Sequence, residues 1–170
     1  MKIFSFVAAA SNSGKTTLIE KVVPLLKERG LRVAVIKHAS KGFELDRPGK
    51  DSWRFREAGA DAVVLAGPGQ TALLRSGERE PKLDDLLGLL PDMDIALVEG
   101  FKRDAVNRIE VFRTGVSGPH PLCADDRSFL ALASDRRIDA GIPWFDLNDA
   151  RGVADFLMAG KVAHRASPGE

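Results

Sequence analysis

Short apolar runs of strand length alternate along this chain with longer segments whose apolar residues recur at helical spacing. This alternation is typical of a parallel α/β sheet. The clearest strand predictions are Ile3–Ala9, Arg32–Lys37, Ala62–Ala66, Ile95–Val98 and Phe129–Ala133. Shorter or more polar runs predict edge strands or a hairpin at Thr71–Arg75 and Arg108–Arg113, and a last short strand at Trp144–Leu147. We therefore predict an α/β fold with a mostly parallel sheet flanked by helices, and a short antiparallel hairpin or edge extension.

Helical spacing predicts four helices, at Lys15–Arg29, Ser52–Ala58, Leu83–Leu90 and Asp149–Ala159. Pro24 lies inside the first of them, where a proline costs about 3 kcal/mol, so we expect a kink or a shortened helix. Residues 38–50 are polar and contain glycine and proline, which predicts a long loop of functional interest. We expect one nucleotide-binding domain over residues 1–160 and a flexible C-terminal tail over residues 161–170.

Composition excludes several classes of protein. The 170 residues carry 25 Lys plus Arg and 24 Asp plus Glu, a net charge of +1, whereas nucleic-acid binders usually show a basic excess. No apolar run reaches the roughly 18 residues of a membrane span. Cys123 is the one cysteine, which excludes an intramolecular disulfide and favours a reducing compartment such as the cytoplasm. We expect neither nucleic acid nor a membrane as partner.

The segment from Ala9 to Thr17 matches the phosphate-binding pattern G-x-x-x-x-G-K-[ST], except that Ala9 replaces the first glycine. A buried strand precedes it and a helix follows, so backbone N–H groups and the helix dipole face an anion. Lys15 can reach the β- and γ-phosphates, and the Thr16 hydroxyl can ligate Mg²⁺. The alternative is an ordinary turn before an ordinary helix. We assign nucleotide binding to Asn12, Ser13, Gly14, Lys15, Thr16 and Thr17.

A carboxylate for the metal is expected from the Asp94–Glu99 run. At about 3.3 Å per residue, Asp94 and Glu99 lie roughly 16 Å apart at opposite ends of one strand. Ligands of open parallel sheets bind at the carboxyl ends of the strands, which favours Glu99 and leaves Asp94 as a turn acceptor. Glu99 is therefore predicted to join the Mg²⁺ site or to position water, the alternative being a solvated carboxylate. Lys15 and Glu99 are the candidate catalytic residues.

Other polar residues follow predicted strands and reach the same sheet edge. Lys37 and His38 follow the second strand, and they are candidates for a substrate or switch loop together with Lys50 and Asp51. Asp46 is a candidate metal ligand from that loop, and either Asp51 or Ser52 is expected to cap the next helix. No guanine-reading Asn-Lys-x-Asp pattern occurs. Asp135 nevertheless lies where a carboxylate can accept hydrogen bonds from guanine N1–H and N2–H₂.

Five motifs stand out in combination: Ser11-Asn12-Ser13-Gly14-Lys15-Thr16-Thr17, Val35-Ile36-Lys37-His38, Asp46-Arg47-Pro48-Gly49-Lys50-Asp51-Ser52, Val98-Glu99-Gly100-Phe101-Lys102 and Ile109-Glu110-Val111-Phe112-Arg113. Together they resemble the MobB family of molybdopterin-guanine dinucleotide biosynthesis adaptor proteins. The resemblance spans most of residues 3–150. It implies a P-loop NTPase fold, with Gly14, Lys15 and Thr16 at phosphate and Mg²⁺, Glu99 at the γ-phosphate, and Asp46 and Asp51 near the nucleotide.

The resemblance also implies a function. It points to a dimeric GTP-binding protein with weak GTPase activity, which assists the guanylyltransferase that joins GMP to molybdopterin. Direct binding of molybdopterin is left open. Two alternatives remain on the same phosphate loop: a small-molecule kinase, and a non-catalytic module whose nucleotide is structural.

Overall fold

The computed structural model describes residues 1–77 and 79–160, which fall into two compact units. The first unit contains Met1–His38 and the described residues from Leu83 onward, and the second contains Ala39–Lys82. The predicted tail, residues 161–170, lies outside the described residues. The expectation of one domain over residues 1–160 stays a prediction.

The first unit is built on a parallel six-stranded sheet. Its strands are β1 (Lys2–Val7), β2 (Val33–Lys37), β5 (Ile95–Glu99), β6 (Arg108–Phe112), β7 (Phe129–Ser134) and β8 (Trp144–Asp146), in the order β2-β5-β1-β6-β7-β8. Every paired neighbour in this sheet is parallel. The predicted parallel sheet is therefore confirmed, and the strand ends that carry the candidate residues share one edge.

Helices cover the sheet because apolar side chains alternate between its two faces. One face packs against α1 (Lys15–Glu28) and α4 (Ala150–Ala159), with Phe4, Phe6 and Leu97 fully buried in the shared core. The opposite face packs in part against α3 (Leu83–Leu87). Of the kink or shortening expected at Pro24, the helix shows no shortening there, since α1 continues through Pro24 to Glu28, and the kink stays a prediction.

The second unit contains a β-hairpin and a short helix. Its strands β3 (Ala62–Gly67) and β4 (Gln70–Arg75) pair antiparallel around a two-residue turn, in which Gly69 has a φ of 75°. Only glycine adopts such a positive φ without strain, which explains the turn position. The expected hairpin is confirmed, and Ala62–Ala66 contributes one of its two strands. The helix is α2 (Asp51–Glu57).

One strand prediction is wrong. The segment Arg108–Arg113 was expected at an edge or in a hairpin because it is polar, yet β6 lies between β1 and β7 inside the parallel sheet. The polarity has a local explanation. Glu110 is fully buried, and its carboxylate accepts hydrogen bonds of 2.8 Å from the backbone N–H groups of Leu122 and Cys123. A buried polar side chain whose oxygens both accept hydrogen bonds is compatible with a central strand.

Candidate functional site

The loop between β1 and α1 has a left-handed backbone at two positions just before the helix. Asn12 and Gly14 have φ values of 60° and 98°, and Gly14 is the N-cap of α1 without any side-chain capping bond. Ser13 is buried, and its hydroxyl donates a 2.6 Å hydrogen bond to the Ala10 carbonyl. No side chain at the N-cap therefore accepts hydrogen bonds from the first-turn N–H groups of α1. Such N–H groups can donate to a bound anion instead.

Ala9 replaces the usual glycine at the start of this loop without a backbone penalty. Among the described residues, the non-glycine positions with positive φ are Asn12, Phe101 and Asn107. Ala9 is not one of them, so its Cβ meets no conformational strain there.

The side chain of Lys15 folds back over the loop. Its ammonium donates a 3.3 Å hydrogen bond to the Ala10 carbonyl. Burial lowers the pKa of Lys15, Glu99 opposes that change, and Lys102 and Lys37 add to it. These causes show that three ammonium groups and one carboxylate share the neighbourhood of the phosphate loop.

Thr16, Glu99 and Lys37 form a compact polar group beside Lys15. The Thr16 hydroxyl lies 2.8 and 3.0 Å from the two carboxylate oxygens of Glu99. The Lys37 ammonium lies 3.5 Å from Glu99 Oε2 and 3.4 Å from Thr16 Oγ1. Strand register explains the grouping, since Lys37 pairs with Glu99 between β2 and β5. Sequence reasoning named all three residues, and the fold brings them together.

His38 and Gly100 are packed against each other at the ends of the same two strands. The His38 N–H donates a 2.8 Å hydrogen bond to the Glu99 carbonyl, and the His38 ring lies 4.7 Å from the Phe101 ring between centroids. A Cβ added at Gly100 would lie 2.7 Å from the His38 Cβ, and the φ of Gly100 is 94°. Both the contact and the backbone therefore require glycine.

Asp94 lies at the other end of β5, away from the phosphate loop. Its carboxylate accepts a 2.7 Å hydrogen bond from the Arg32 N–H and forms an ion pair with the Arg32 guanidinium at 3.3 Å. Asp94 is thus a backbone acceptor, as expected for the residue before this strand.

Asp135 follows β7 at the same edge as the phosphate loop. Its carboxylate accepts hydrogen bonds of 3.0 Å from both the Thr114 N–H and the Thr114 hydroxyl. The Thr114 N–H is the main cause that lowers the pKa of Asp135. The guanine contact assigned to Asp135 stays a prediction.

Lys102 and Arg113 are two cations at this site that sequence reasoning gave no role. The Lys102 ammonium donates a 3.1 Å hydrogen bond to the Ala9 carbonyl, at the start of the phosphate loop. The Arg113 guanidinium follows β6, and its Nη2 lies 3.5 Å from the position of a Cβ built on Gly14. Both residues stood in the motifs that carried the resemblance. Their nearness to the loop depends on strand order, which local patterns do not specify.

The second unit holds Asp46, Lys50 and Asp51. Asp46 Oδ1 accepts a 2.9 Å hydrogen bond from the Ser52 hydroxyl, and Asp46 Oδ2 lies 3.8 Å from Arg56 Nη1. Lys50 is the N-cap of α2 and makes no side-chain capping bond. The expected cap by Asp51 or Ser52 is therefore wrong: Ser52 bonds Asp46, and Asp51 lies 3.7 Å from Arg54 in the first turn.

Comparison with known proteins decides the family. The family described as "Molybdopterin guanine dinucleotide synthesis protein B" matches residues 3–135. The chain belongs to the MobB family. The resemblance stated from the motifs is thereby confirmed, and the chain is an adapter-type protein of molybdopterin-guanine dinucleotide biosynthesis.

Curated relatives agree with this assignment. The molybdopterin-guanine dinucleotide biosynthesis adapter protein of Escherichia coli (strain K12) is 38% identical over 155 residues, which cover 89% of each chain. The protein of the same name from Haemophilus influenzae is 36% identical over 153 residues, covering 89% of this chain and 85% of the relative.

Solved structures of the family share the fold. A crystal structure of molybdopterin-guanine biosynthesis protein B (mobB) matches with a TM-score of 0.71 and 33% identity, covering 92% of this chain and 98% of the other. The MobB protein homolog from Bacillus stearothermophilus matches with a TM-score of 0.67 and 25% identity, covering 93% and 96%. The predicted P-loop fold is thus confirmed together with the MobB family.

The residues at the phosphate loop fit a magnesium ion. Among residues 1–77 and 79–160, no cluster of three or more His, Cys, Asp or Glu side chains forms a metal cage. Mg²⁺ needs no such cage, because it is commonly held by one or two protein oxygens, water and substrate phosphates. The Thr16 hydroxyl and the Glu99 carboxylate are oxygen donors of this kind, already within hydrogen-bond distance of each other.

The helices found within residues 1–77 and 79–160 include none with the length and apolar character of a membrane span.

Proposed function

We propose that this MobB-family protein binds GTP with Mg²⁺ at the Ala9–Thr17 loop, hydrolyses it slowly, and assists the guanylyltransferase that joins GMP to molybdopterin. The observation that carries the proposal is the pairing of Thr16 with Glu99 beside an uncapped helix N-terminus. In P-loop proteins, a loop Ser or Thr and a strand-end carboxylate hold the metal that bridges the β- and γ-phosphates.

Each residue of the loop has a defined task in this proposal. The first-turn N–H groups of α1 receive phosphate oxygens, and Lys15 exchanges its hydrogen bond to the Ala10 carbonyl for a γ-phosphate oxygen. Thr16 and Glu99 supply metal ligands, and Lys37 offsets the charge of Glu99. Bound Mg²⁺ would neutralise charge that develops on the transferred phosphoryl group.

Slow hydrolysis follows from how few groups act on the γ-phosphate. Phosphoryl transfer depends on positioning and charge neutralisation, and fast GTPases add an arginine at the transferred group. The motifs of this chain contain no obvious arginine finger, so Lys15 and Mg²⁺ would supply the positive charge at the γ-phosphate, and Glu99 is the candidate for orienting the attacking water. A partner such as the guanylyltransferase is then expected to complete the catalytic site.

A preference for GTP over ATP is assigned to Asp135. A carboxylate accepts hydrogen bonds from guanine N1–H and N2–H₂ but is repelled by the acceptor N1 of adenine. The hydrogen bonds from Thr114 hold this carboxylate at the edge of the sheet. Asp46 as a third metal ligand, Lys50 and Asp51 as loop contacts, direct molybdopterin binding and a cytoplasmic location stay predictions.

The hairpin of the second unit supports a homodimer. Val64 and Leu73 are directly opposed between β3 and β4, and their exposed fractions are 63% and 48%. An isolated two-stranded hairpin is marginal in water, and its outer backbone groups are open to pairing with another strand. A second copy of the same hairpin offers apolar residues and strand edges that match, so we assign this surface to self-association.

The test is a competition binding assay with GTP, ATP and GDP, with and without Mg²⁺, on the wild type, Lys15→Ala and Lys27→Ala. Lys27 is exposed on the same helix, so it matches the loss of one lysine in α1 without touching the loop. We expect Lys15→Ala to abolish measurable GTP binding and Lys27→Ala to behave as the wild type. Unchanged GTP binding in Lys15→Ala would refute the phosphate-loop assignment.

Turnover measurements separate the alternatives. With labelled GTP, phosphate released to water supports a GTPase, whereas label transferred to a metabolite supports a small-molecule kinase. Tight binding that is independent of Mg²⁺ and gives no turnover supports a non-catalytic module.

A further inference from the structure

Arg113 lies at the phosphate loop although it is distant from it in the sequence. It follows β6, the neighbour of β1 on the side opposite β5. Its Nη2 lies 3.5 Å from where a Cβ on Gly14 would stand, so the guanidinium lies beside Gly14 of the loop. The phosphate loop therefore has cationic side chains on both flanks: Lys37 on the side of β2 and β5, and Arg113 on the side of β6.

The backbone around Arg113 is held in place from several directions. Its N–H donates a 2.9 Å hydrogen bond to the hydroxyl of Ser117, which is buried, and its carbonyl accepts from the N–H groups of Val116 and Ser117. The next residue, Thr114, is tied to Asp135. These bonds fix the backbone from which the Arg113 side chain projects, so the protein itself holds the start of this side chain beside the loop.

The guanidinium of Arg113 retains donors for an anion. Within the described residues, the hydrogen bonds made by Arg113 come from its backbone, whereas a guanidinium carries five N–H donors. Asp135 is the carboxylate whose pKa Arg113 affects, and its oxygens already accept hydrogen bonds from Thr114. Arginine binds phosphate well because its planar fork donates two parallel hydrogen bonds.

Strand order indicates which phosphates Arg113 can reach. If Thr16 and Glu99 hold Mg²⁺ as proposed, the metal would neutralise charge at the γ-phosphate from the β5 side of the loop. Asp135, the candidate for base recognition, lies beyond β6 at the end of β7. A nucleotide whose γ-phosphate faces Glu99 and whose base faces Asp135 would therefore extend from the β5 side towards the β7 side, and its α- and β-phosphates would pass Arg113.

We propose that Arg113 contacts the α- and β-phosphates of the bound nucleotide, from the flank of the phosphate loop opposite Glu99. The proposal rests on the proposed function, because it assigns a role within the same nucleotide site. It differs from an arginine finger, which stabilises charge on the γ-phosphate. A contact at the α- and β-phosphates is present equally in GTP and GDP.

The test compares GTP and GDP affinities by isothermal titration calorimetry for the wild type, Arg113→Ala, Arg113→Lys, Lys15→Ala and Arg151→Ala. Arg151 is an exposed arginine on α4 and controls for the loss of one surface charge. We expect Arg113→Ala to weaken GTP and GDP by the same factor, about 10- to 100-fold, as for a lost charge-assisted hydrogen bond. Arg113→Lys should fall in between, because lysine keeps the charge and loses the fork.

Two results would overturn this inference. Weaker GTP binding with unchanged GDP binding would place Arg113 at the γ-phosphate. Unchanged affinities in Arg113→Ala, with binding abolished in Lys15→Ala, would refute the role of Arg113 and leave the proposed function standing. If Lys15→Ala itself binds normally, the nucleotide site as a whole is refuted. Thermal unfolding of each variant checks that it is folded, and the exposed side chain of Arg113 makes a folding defect unexpected.

Discussion

The hydroxyl of Thr16 lies within hydrogen-bond distance of both carboxylate oxygens of Glu99, at 2.8 and 3.0 Å, although the two residues are 83 positions apart. Thr16 belongs to the first turn of α1 and Glu99 ends β5, so the contact joins the helix after the phosphate loop to the neighbouring strand. The two oxygen donors are therefore positioned by the protein itself. In the proposed function, these are the two side chains that would hold Mg²⁺ beside the bound nucleotide.

Replacement of Glu99 by glutamine tests its role at the metal. Glu99→Gln keeps the size of the side chain and removes its charge. The factor by which Mg²⁺ increases the affinity for GTP should therefore become about 10- to 100-fold smaller than in the wild type. Affinity titrations over a range of Mg²⁺ concentrations measure this, with Glu20→Gln on the exposed face of α1 as the control. Full Mg²⁺ dependence in Glu99→Gln would mean that the metal is held elsewhere.

Replacement of Asp135 by asparagine tests base selection. Asp135→Asn retains one acceptor and introduces an amide donor, so the ratio of GTP to ATP affinity should drop by at least about 10-fold, the size of one hydrogen bond to a charged group. Asp92→Asn removes a carboxylate from an exposed position before β5 and serves as the matched control. An unchanged ratio would show that guanine is recognised by other groups.

The acid sensitivity of Asp135 follows from its bonds to Thr114. These bonds lower the pKa of Asp135 in the folded protein, so the carboxylate binds its proton less readily than in the unfolded chain. Its contribution to stability is therefore present above the unfolded pKa of about 3.9 and is lost as the pH falls through the folded value. Urea unfolding of the wild type and Asp135→Asn should thus differ above about pH 4 and converge only once the pH falls below the lowered folded pKa of Asp135. A difference that persists unchanged at still lower pH would contradict this assignment.

Charge on the hairpin should weaken self-association. Leu73→Glu places a carboxylate beside the exposed Val64 on the neighbouring strand, where its burial against a second copy is costly. Sedimentation equilibrium should show a dimer for the wild type and a monomer for Leu73→Glu. Leu89→Glu changes another exposed leucine, outside the hairpin, and should remain dimeric. A monomeric wild type, or a dimer that persists in Leu73→Glu, would refute the hairpin as the interface.

The thiol of Cys123 should be protected in the folded protein. Burial, with Glu110 adding to it, raises the pKa of Cys123 from 9.0 to about 12. The folded state therefore holds this proton more tightly than the unfolded chain does. The contribution of Cys123 to the free energy of unfolding is fully present below pH 9 and is lost as the pH rises towards 12. We expect iodoacetamide to label Cys123 quickly in urea and slowly in buffer at pH 8. Fast labelling of the folded protein would contradict the buried thiol.

The parts of the candidate site that are formed by residues close together in the sequence were predictable. A strand, a glycine-containing turn and a helix that starts at Lys15 are consecutive, so the phosphate loop was visible without tertiary structure. The position of Glu99 followed from the polarity of parallel strands, because their carboxyl ends meet at one edge. Arg113 and Lys102 were missed, since their nearness to the loop depends on which strand lies beside β1 and on how the chain turns after β5.

The sequence by itself therefore determined the phosphate loop, the parallel sheet, the hairpin and the edge at which Glu99 and Asp135 emerge. These follow from hydrophobic periodicity and from residues close together in the chain. Only the tertiary structure decided that Arg108–Phe112 is a central strand and that Arg113 lies beside Gly14. The reason is that lateral strand order depends on contacts between distant segments, such as the backbone N–H groups of Leu122 and Cys123 that satisfy the buried Glu110. That partnership makes a polar segment suitable for the interior, and no local pattern records it.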